Sequence, residues 1–264
     1  MRLRAVRRVM RLRAGVGSVS RGFQGVVLKA MRAPEFRLRV VSTALECGGL
    51  MKRVSFASPD ALPESLFEPA AWVRLWFPMG SGREVQRGYT IAGHPPDRSR
   101  VDVSFYLHQT SGPAAAWALH VRSGSELVAT MAGSQPFSVA EGCQGVVLMG
   151  DETAFPAIRA IVSSLPNRVR VYVMLTGAHD LSGFIEADER VEVRYVPTAK
   201  ALHAFRKLQE QLHMLHDSQP EAWFCWAAGE SSMMRSIRAS IRGALPKGDT
   251  HVQGYWAQRA VLRF

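Results

Sequence analysis

A six-stranded antiparallel β barrel followed by a parallel α/β sheet is the fold this sequence predicts, and three observations predict it. From residue 36 to 131 apolar residues recur with period two. From residue 146 onward apolar runs of strand length alternate with helical patterns. The change falls across GSQPFSVAEGCQG at 133–145, a stretch rich in turn residues. Side chains alternate across a strand but repeat every 3.6 residues on a helix, so a change of period is a change of architecture.

The first strand, FRLRVV, sets Phe36, Leu38 and Val40 against Arg37 and Arg39. The fifth, VDVSFYLH, sets Val101, Val103, Phe105 and Leu107 against Asp102, Ser104, Tyr106 and His108. LMKRVSF (50–56), WVRLWF (72–77), VQRGYT (85–90) and ELVATM (126–131) complete six strands, parted by Gly, Pro, Ser and Asp turns. Six short strands with no free edge make a small barrel. One helix, GPAAAWALHV, lies between the fifth and sixth strands. Beyond the junction come strand VVLMG, helix TAFPAIRAIVSSL, strands RVRVYVML and RVEVRYV, and helix KALHAFRKLQEQLHMLH. Strand AWFCWAAG, helix SSMMRSIRASIRGAL and strand HVQGYWA follow. Apolar strands alternating with helices read as a parallel sheet covered on both faces. Such sheets bind ligands at the carboxyl ends of strands, near the reversal of strand order. Strand–glycine–helix turns fall at Gly150 and Gly229. The expected units are a poorly ordered basic tail (1–34), the barrel (35–137) and the α/β domain (138–264).

The chain of 264 residues carries a net charge of +11, but the charge is local. Residues 1–39 hold eleven basic residues against Glu35 alone, whereas 40–264 hold 22 basic and 21 acidic. A basic segment can touch phosphate or an anionic membrane; a solvated N-terminus, a start at Met31 or a transit peptide would look the same. The body is therefore not expected to bind nucleic acid. No apolar run approaches the ~20 residues of a membrane span. Cys47, Cys143 and Cys225 are far apart and form no C-x-x-C, which argues against a zinc or iron–sulfur framework and for a reducing, cytoplasmic setting. His213 and His216 share a helix face without a third ligand nearby, so no metal site is expected.

Two stretches carry chemistry. In SGPAAAWALH, Gly112 and Pro113 open a helix whose first N–H groups and positive dipole suit an anion. Ala114 and Ala115 are small enough for a diphosphate to approach the backbone. In EVQRGYTIAG, Arg87 and Tyr89 point the same way from a strand, and Thr90 follows. A guanidinium fork grips phosphate, a phenol ring offers a flat face, and a hydroxyl reaches a ring nitrogen or carbonyl. Together they suit a flavin nucleotide. No nucleophile elbow or other hydrolase arrangement is present.

RGYT (87–90), VSFYLH (103–108), GPAAAWA (112–118), GDETAFPAI (150–158), AAGE (227–230) and GYW (254–256) occur in an order and spacing that resemble the siderophore-interacting proteins. These are FAD-dependent ferric-siderophore reductases of the ferredoxin–NADP reductase-like superfamily. The resemblance covers residues 36–258 and implies an FAD-binding barrel and a nicotinamide-nucleotide domain. It assigns Arg87, Tyr89, Thr90, His108, Gly112, Pro113, Ala114, Ala115 and Trp117 to FAD. Gly150, Asp151, Glu152, Thr153 and Ala154 fall at the nicotinamide-side turn, with Gly229 and Glu230 at a second nucleotide-side turn. Asp151 and Glu152 would repel a diphosphate from that helix start, which moves the expected diphosphate to the Thr176–Gly177 loop.

The sequence departs from the family where Ile-Ala-Gly follows Thr90 in place of a further arginine, and where Ala257 stands in place of a basic residue. Lys52, Arg53, Arg74 and Arg83 are candidate substitutes, and Lys52, Arg53 and Arg83 are assigned to the substrate. The implied reaction takes electrons from NADPH or NADH, with ferredoxin as another candidate donor, through FAD to a ferric siderophore. No side chain is assigned as a catalytic acid or base. Another flavin reductase of the superfamily and a non-catalytic siderophore binder are the alternatives.

Overall fold

The computed structural model describes residues 20–80, 82–108, 112–218, 223–242 and 249–258. Strands β1 (Glu35–Glu46), β2 (Met51–Ala57), β3 (Trp72–Met79), β4 (Arg83–Gly93), β5 (Arg100–Tyr106) and β6 (Glu126–Thr130) close an antiparallel barrel in the order β1-β2-β5-β4-β3-β6. Period two in the sequence becomes alternate burial. Phe36, Leu38 and Val40 fill the barrel with Val101, Val103 and Phe105, while Arg37 and Arg39 face solvent. Helix α2 (Pro113–His120) plugs one end, with Ala114, Ala118 and Trp117 in the barrel core.

The second unit is a five-stranded parallel sheet, β7 (Gly145–Gly150), β8 (Arg170–Gly177), β9 (Val191–Pro197), β10 (Trp223–Glu230) and β11 (Thr250–Trp256), in the order β11-β10-β7-β8-β9. Every residue of β7 is buried, as a central strand between covering layers requires. Helix α3 (Phe155–Ser164) packs on the face that carries Val146 and Leu148. Helices α4 (Thr198–Ser218) and α5 (Ser231–Ile241) cover the face that carries Val147 and Met149. Cys47, Met51 and Ala70 of the barrel unit join the α3-side core, so the two units share one apolar cluster. Full burial of a side chain the size of Met51 contributes ~1.5–3 kcal/mol, which helps hold the barrel against the sheet.

The basic tail is shorter than its composition suggests. Residues 22–30 form a helix, α1 (Gly22–Ala30), anchored by Arg21. Arg21 pairs with Glu84 and Glu35, both at 2.7 Å, and lies 4.6 Å over the Trp76 ring. These partners are 14 to 63 residues distant in sequence, out of reach of any local pattern. Residues 1–19 and the side chains of His213 and His216 lie outside the described residues. The three cysteines are buried thiols, and burial pushes Cys225 up to about 12. Among the described residues no helix is long and apolar enough to cross a membrane, and no group of His, Cys, Asp or Glu is set to hold a metal.

Candidate functional site

Strands β7 and β10 are neighbours from which the chain departs in opposite directions. Their carboxyl ends, at Gly150 and Gly229, therefore flank the reversal of strand order. Strand β4 meets this edge, with Thr90 Oγ1 3.4 Å from Tyr255 Oη. A cleft of about 420 Å³ opens between the units. Its barrel wall is Arg87, Tyr89, Thr90, His108 and the helix start Gly112–Ala115; its sheet wall is Glu152, Thr153, Pro156, Tyr255 and Trp256.

The barrel wall is cationic. Arg87 is exposed, donates to Gln86 O at 2.7 Å, and pairs with no carboxylate among the described residues. Tyr89 is fixed from behind, its ring 4.5 Å from Phe105 and 5.9 Å from Phe77. Burial raises its phenol well above the ordinary value, so it stays protonated. Helix α2 has Gly112 at its cap, no side chain among the described residues closing its first turn, and no acid within that turn. The Ala114 and Ala115 N–H groups thus have no acceptor within the helix.

The sheet wall has filled its own donors with carboxylates. Buried Asp151 accepts from the Thr153 N–H (2.9 Å) and hydroxyl (2.5 Å), the Glu230 N–H (2.7 Å) and Trp256 Nε1 (3.0 Å). Burial pushes its carboxyl above the ordinary value, against the pull of those hydrogen bonds. Buried Glu152 accepts from the Ala178 and His179 N–H groups at 2.6 and 2.9 Å. Tyr106 Oη lies 3.4 Å from Glu152 Oε1 and 2.7 Å from His179 Nδ1, a polar link across the two units. Desolvation, then the Glu152 charge, pushes Tyr106 up to about 12; burial pushes Tyr255 to about 12 as well.

Several assigned residues lie behind the cleft surface. Trp117 stacks on Phe56 at 6.2 Å and belongs to the barrel core. Gly150 and Ala154 serve packing: a Cβ at 150 would lie 2.5 Å from Ala154 Cβ and 2.8 Å from Ala228 O. Gly229 has φ +148°, and a Cβ there would lie 2.6 Å from Asp151 Oδ2. Asp151 ties strand ends together behind the cleft. The Thr176–Gly177 loop is closed to a diphosphate, because Glu152 already occupies the following N–H groups and crowds Gly177, whose φ is +138°.

Glu230 caps α5, accepting from the Ser232 and Met233 N–H groups at 2.6 and 2.9 Å. Partial burial opposes its ionisation, but the hydrogen bonds from Ser232, Met233 and Gln258 outweigh this and hold its carboxyl below the ordinary 4.5. A depressed acid stabilises the fold above its unfolded value and loses that contribution as pH falls through its folded value. Glu230→Ala is therefore expected to cost about 1 kcal/mol near neutrality. The difference should shrink below an ordinary glutamate's titration range, as chemical denaturation at several pH values will show.

The three cations assigned to the substrate do not line the cleft. Lys52 Nζ donates to Leu119 O at the end of α2. Arg53 is spent between Glu46 (3.1 Å) and Asp102 (3.6 Å). Arg83 sits at the far end of β4, beside α1. The cation beside the cleft is Arg74. It lines an annex of about 210 Å³ with Trp72, Gln253 and Gly254, sharing Gly88, Tyr89, Thr90 and Tyr255 with the main cleft. Its guanidinium lies 4.8 Å over the Trp72 ring and donates to Gln86 Oε1 at 3.3 Å. Its buried Nε and Trp72 Nε1 have no hydrogen-bond partner among the described residues. Burial lowers its pKa, yet an arginine stays charged. Tyr106 falls within VSFYLH without an assigned role and His179 lies in none of the motifs, because their contact joins the two units.

A family model described as siderophore-interacting protein matches residues 143–259, and one described as siderophore-interacting FAD-binding domain matches residues 18–133. The chain belongs to the siderophore-interacting protein family. The mycobactin import ATP-binding/permease protein IrtA of Mycolicibacterium thermoresistibile is 32% identical over 252 residues, 91% of this chain. The chain spans only 27% of that relative's length. Ferric vibriobactin reductase ViuB of Vibrio cholerae is 30% identical over 105 residues, 38% of each chain. The siderophore-interacting protein of Acinetobacter baumannii shares the fold, with a TM-score of 0.70 at 20% identity, covering 85% of this chain and 91% of that one.

Proposed function

We propose that this chain is a flavin-dependent reductase that passes electrons from NAD(P)H through FAD to a ferric siderophore, releasing ferrous iron in the cytoplasm. The unequal charge of the two cleft walls carries this reading. On the barrel side Arg87 and the start of α2 have no carboxylate partner among the described residues; on the sheet side the comparable donors are filled by Asp151, Glu152 and Glu230. The residues present fit FAD: Arg87 and the Ala114 and Ala115 N–H groups would hold its diphosphate, Tyr89 would offer a ring face, and Thr90 a hydroxyl. When bound, FAD supplies the conversion of a two-electron donor into single-electron steps.

The sheet wall leaves the Glu152–Thr153 turn and the aromatic pair Tyr255 and Trp256 to receive the nicotinamide end of the donor, without a diphosphate cradle of its own. Arg74 faces the annex with donors to spare, a match for the anionic oxygen ligands of a ferric chelate. Loss of iron follows reduction because hard oxygen ligands hold the trivalent ion far better than the divalent one. The working units are taken as residues 35–137 and 138–264.

The deciding experiment is an anaerobic NADPH titration of FAD-loaded protein, followed by addition of ferric siderophore with a ferrous chelator present. Bleaching of the flavin and ferrous chelate formation are expected. Bleaching without ferrous product would indicate a flavin reductase for another acceptor; a colourless protein that refuses FAD yet binds the ferric chelate would indicate a carrier. Arg74→Ala is expected to raise the KM for the chelate by about tenfold, with FAD affinity unchanged.

A further inference from the structure

Helix α1 wears its apolar face outward. Phe23, Val26, Val27, Ala30 and Met31 recur at the spacing of one helix stripe, which in a globular protein faces the core. Here Phe23, Val26 and Met31 are 82, 65 and 66% exposed, and Leu28 alone is buried. The orientation is held in place. Arg21 clamps the helix start between Glu35 and Glu84, and Ser20 exchanges backbone hydrogen bonds of 3.0 Å with Gly82 and Glu84. Met79, 43% exposed, and Arg83 join Phe23 along one groove of about 390 Å³, which widens the apolar patch and adds a cation.

Charge selects the partner. Residues 1–34 carry nine basic residues and no acid, and Lys29 and Arg32 are exposed beside the stripe. A second copy of the chain would set like charge against like. A nucleic-acid backbone would match the arginines but has no use for three large apolar side chains. Apolar residues bordered by cations suit a bilayer interface, where the rings and aliphatic groups enter the headgroup boundary and the cations meet anionic lipid. We propose that α1, with Lys29 and Arg32 bordering its apolar stripe and Met79 and Arg83 beside it, docks this protein onto an anionic lipid surface. The cleft-based reading of function is independent of this.

The test is flotation of the full chain with vesicles of phosphatidylcholine alone and with about one-third phosphatidylglycerol. Partition into the anionic vesicles at least about tenfold above the neutral ones is expected, weakened by raising salt from about 0.1 to about 0.5 M. Phe23→Glu with Met31→Glu should lower that partition by about tenfold and leave the unfolding temperature unchanged, since both side chains are exposed. Equal partition to both vesicle types, or anionic binding that ignores the double substitution, overturns the proposal. So does wild-type self-association abolished by the same substitutions, or binding to duplex DNA without binding to vesicles.

Discussion

Arg87→Ala is expected to weaken FAD binding by about ten- to a hundredfold while leaving the unfolding temperature of the FAD-free protein unmoved. The two halves of that expectation rest on one observation. Arg87 is exposed, and its hydrogen bond to Gln86 O adds little to a stretch of β4 already paired with β3. Its removal breaks no ion pair and opens no cavity. What is lost is a charge-assisted contact to phosphate, ~1.5–3 kcal/mol in general, which converts to the stated change in affinity. Tyr89→Ala should behave differently. The ring supports Phe105 and Phe77 from within the barrel wall, so truncation lowers both stability and affinity. Titrating each apoprotein with FAD, beside a thermal melt, separates the two. Unchanged affinity in Arg87→Ala would place the phosphate grip elsewhere and remove the main support for the cleft as the FAD site.

That contrast shows what the sequence discloses. Alternation in FRLRVV and VDVSFYLH is a local signal that follows directly from the pleat, and those strands form as read. The anion-ready start of α2 is legible because helix-start chemistry is local too. Register is not local. Arg53 looks available in LMKRVSF, but pairing of β2 with its neighbours brings it between Glu46 and Asp102. Arg74 looks no better than its rivals until β3 pairs with β4, which sets it opposite Gly88 and brings its guanidinium over Trp72 and onto Gln86. Helix α1 stayed hidden because its apolar stripe is exposed and its anchor, Arg21, finds both acids on other elements. The link from Tyr106 to His179 needs both units docked.

Asp151 offers the harsher test, since its carboxylate belongs to the scaffold behind the cleft. It takes four donors from three places: two from Thr153 after β7, the N–H of Glu230 at the end of β10, and the indole of Trp256 at the end of β11. Oxygen Oδ1 serves the first pair and Oδ2 the second. Asp151→Ala leaves these groups without their acceptor at a site only 5% exposed. Each orphaned buried donor costs ~1–3 kcal/mol, so with some relaxation the loss is expected at about 3–5 kcal/mol. Asp151→Asn is no mild change here. Whichever way the amide turns, its NH2 meets one pair of donors, and the expected cost is about 2–4 kcal/mol. Trp256→Phe removes one donor from the Oδ2 pair, so its combination with Asp151→Asn should cost less than the sum of the single changes. Urea unfolding of the four proteins measures the cycle. Strict additivity, or an Asp151→Asn protein as stable as wild type, would show that Asp151 does not hold the strand ends together and that Trp256 is positioned at the cleft by something else.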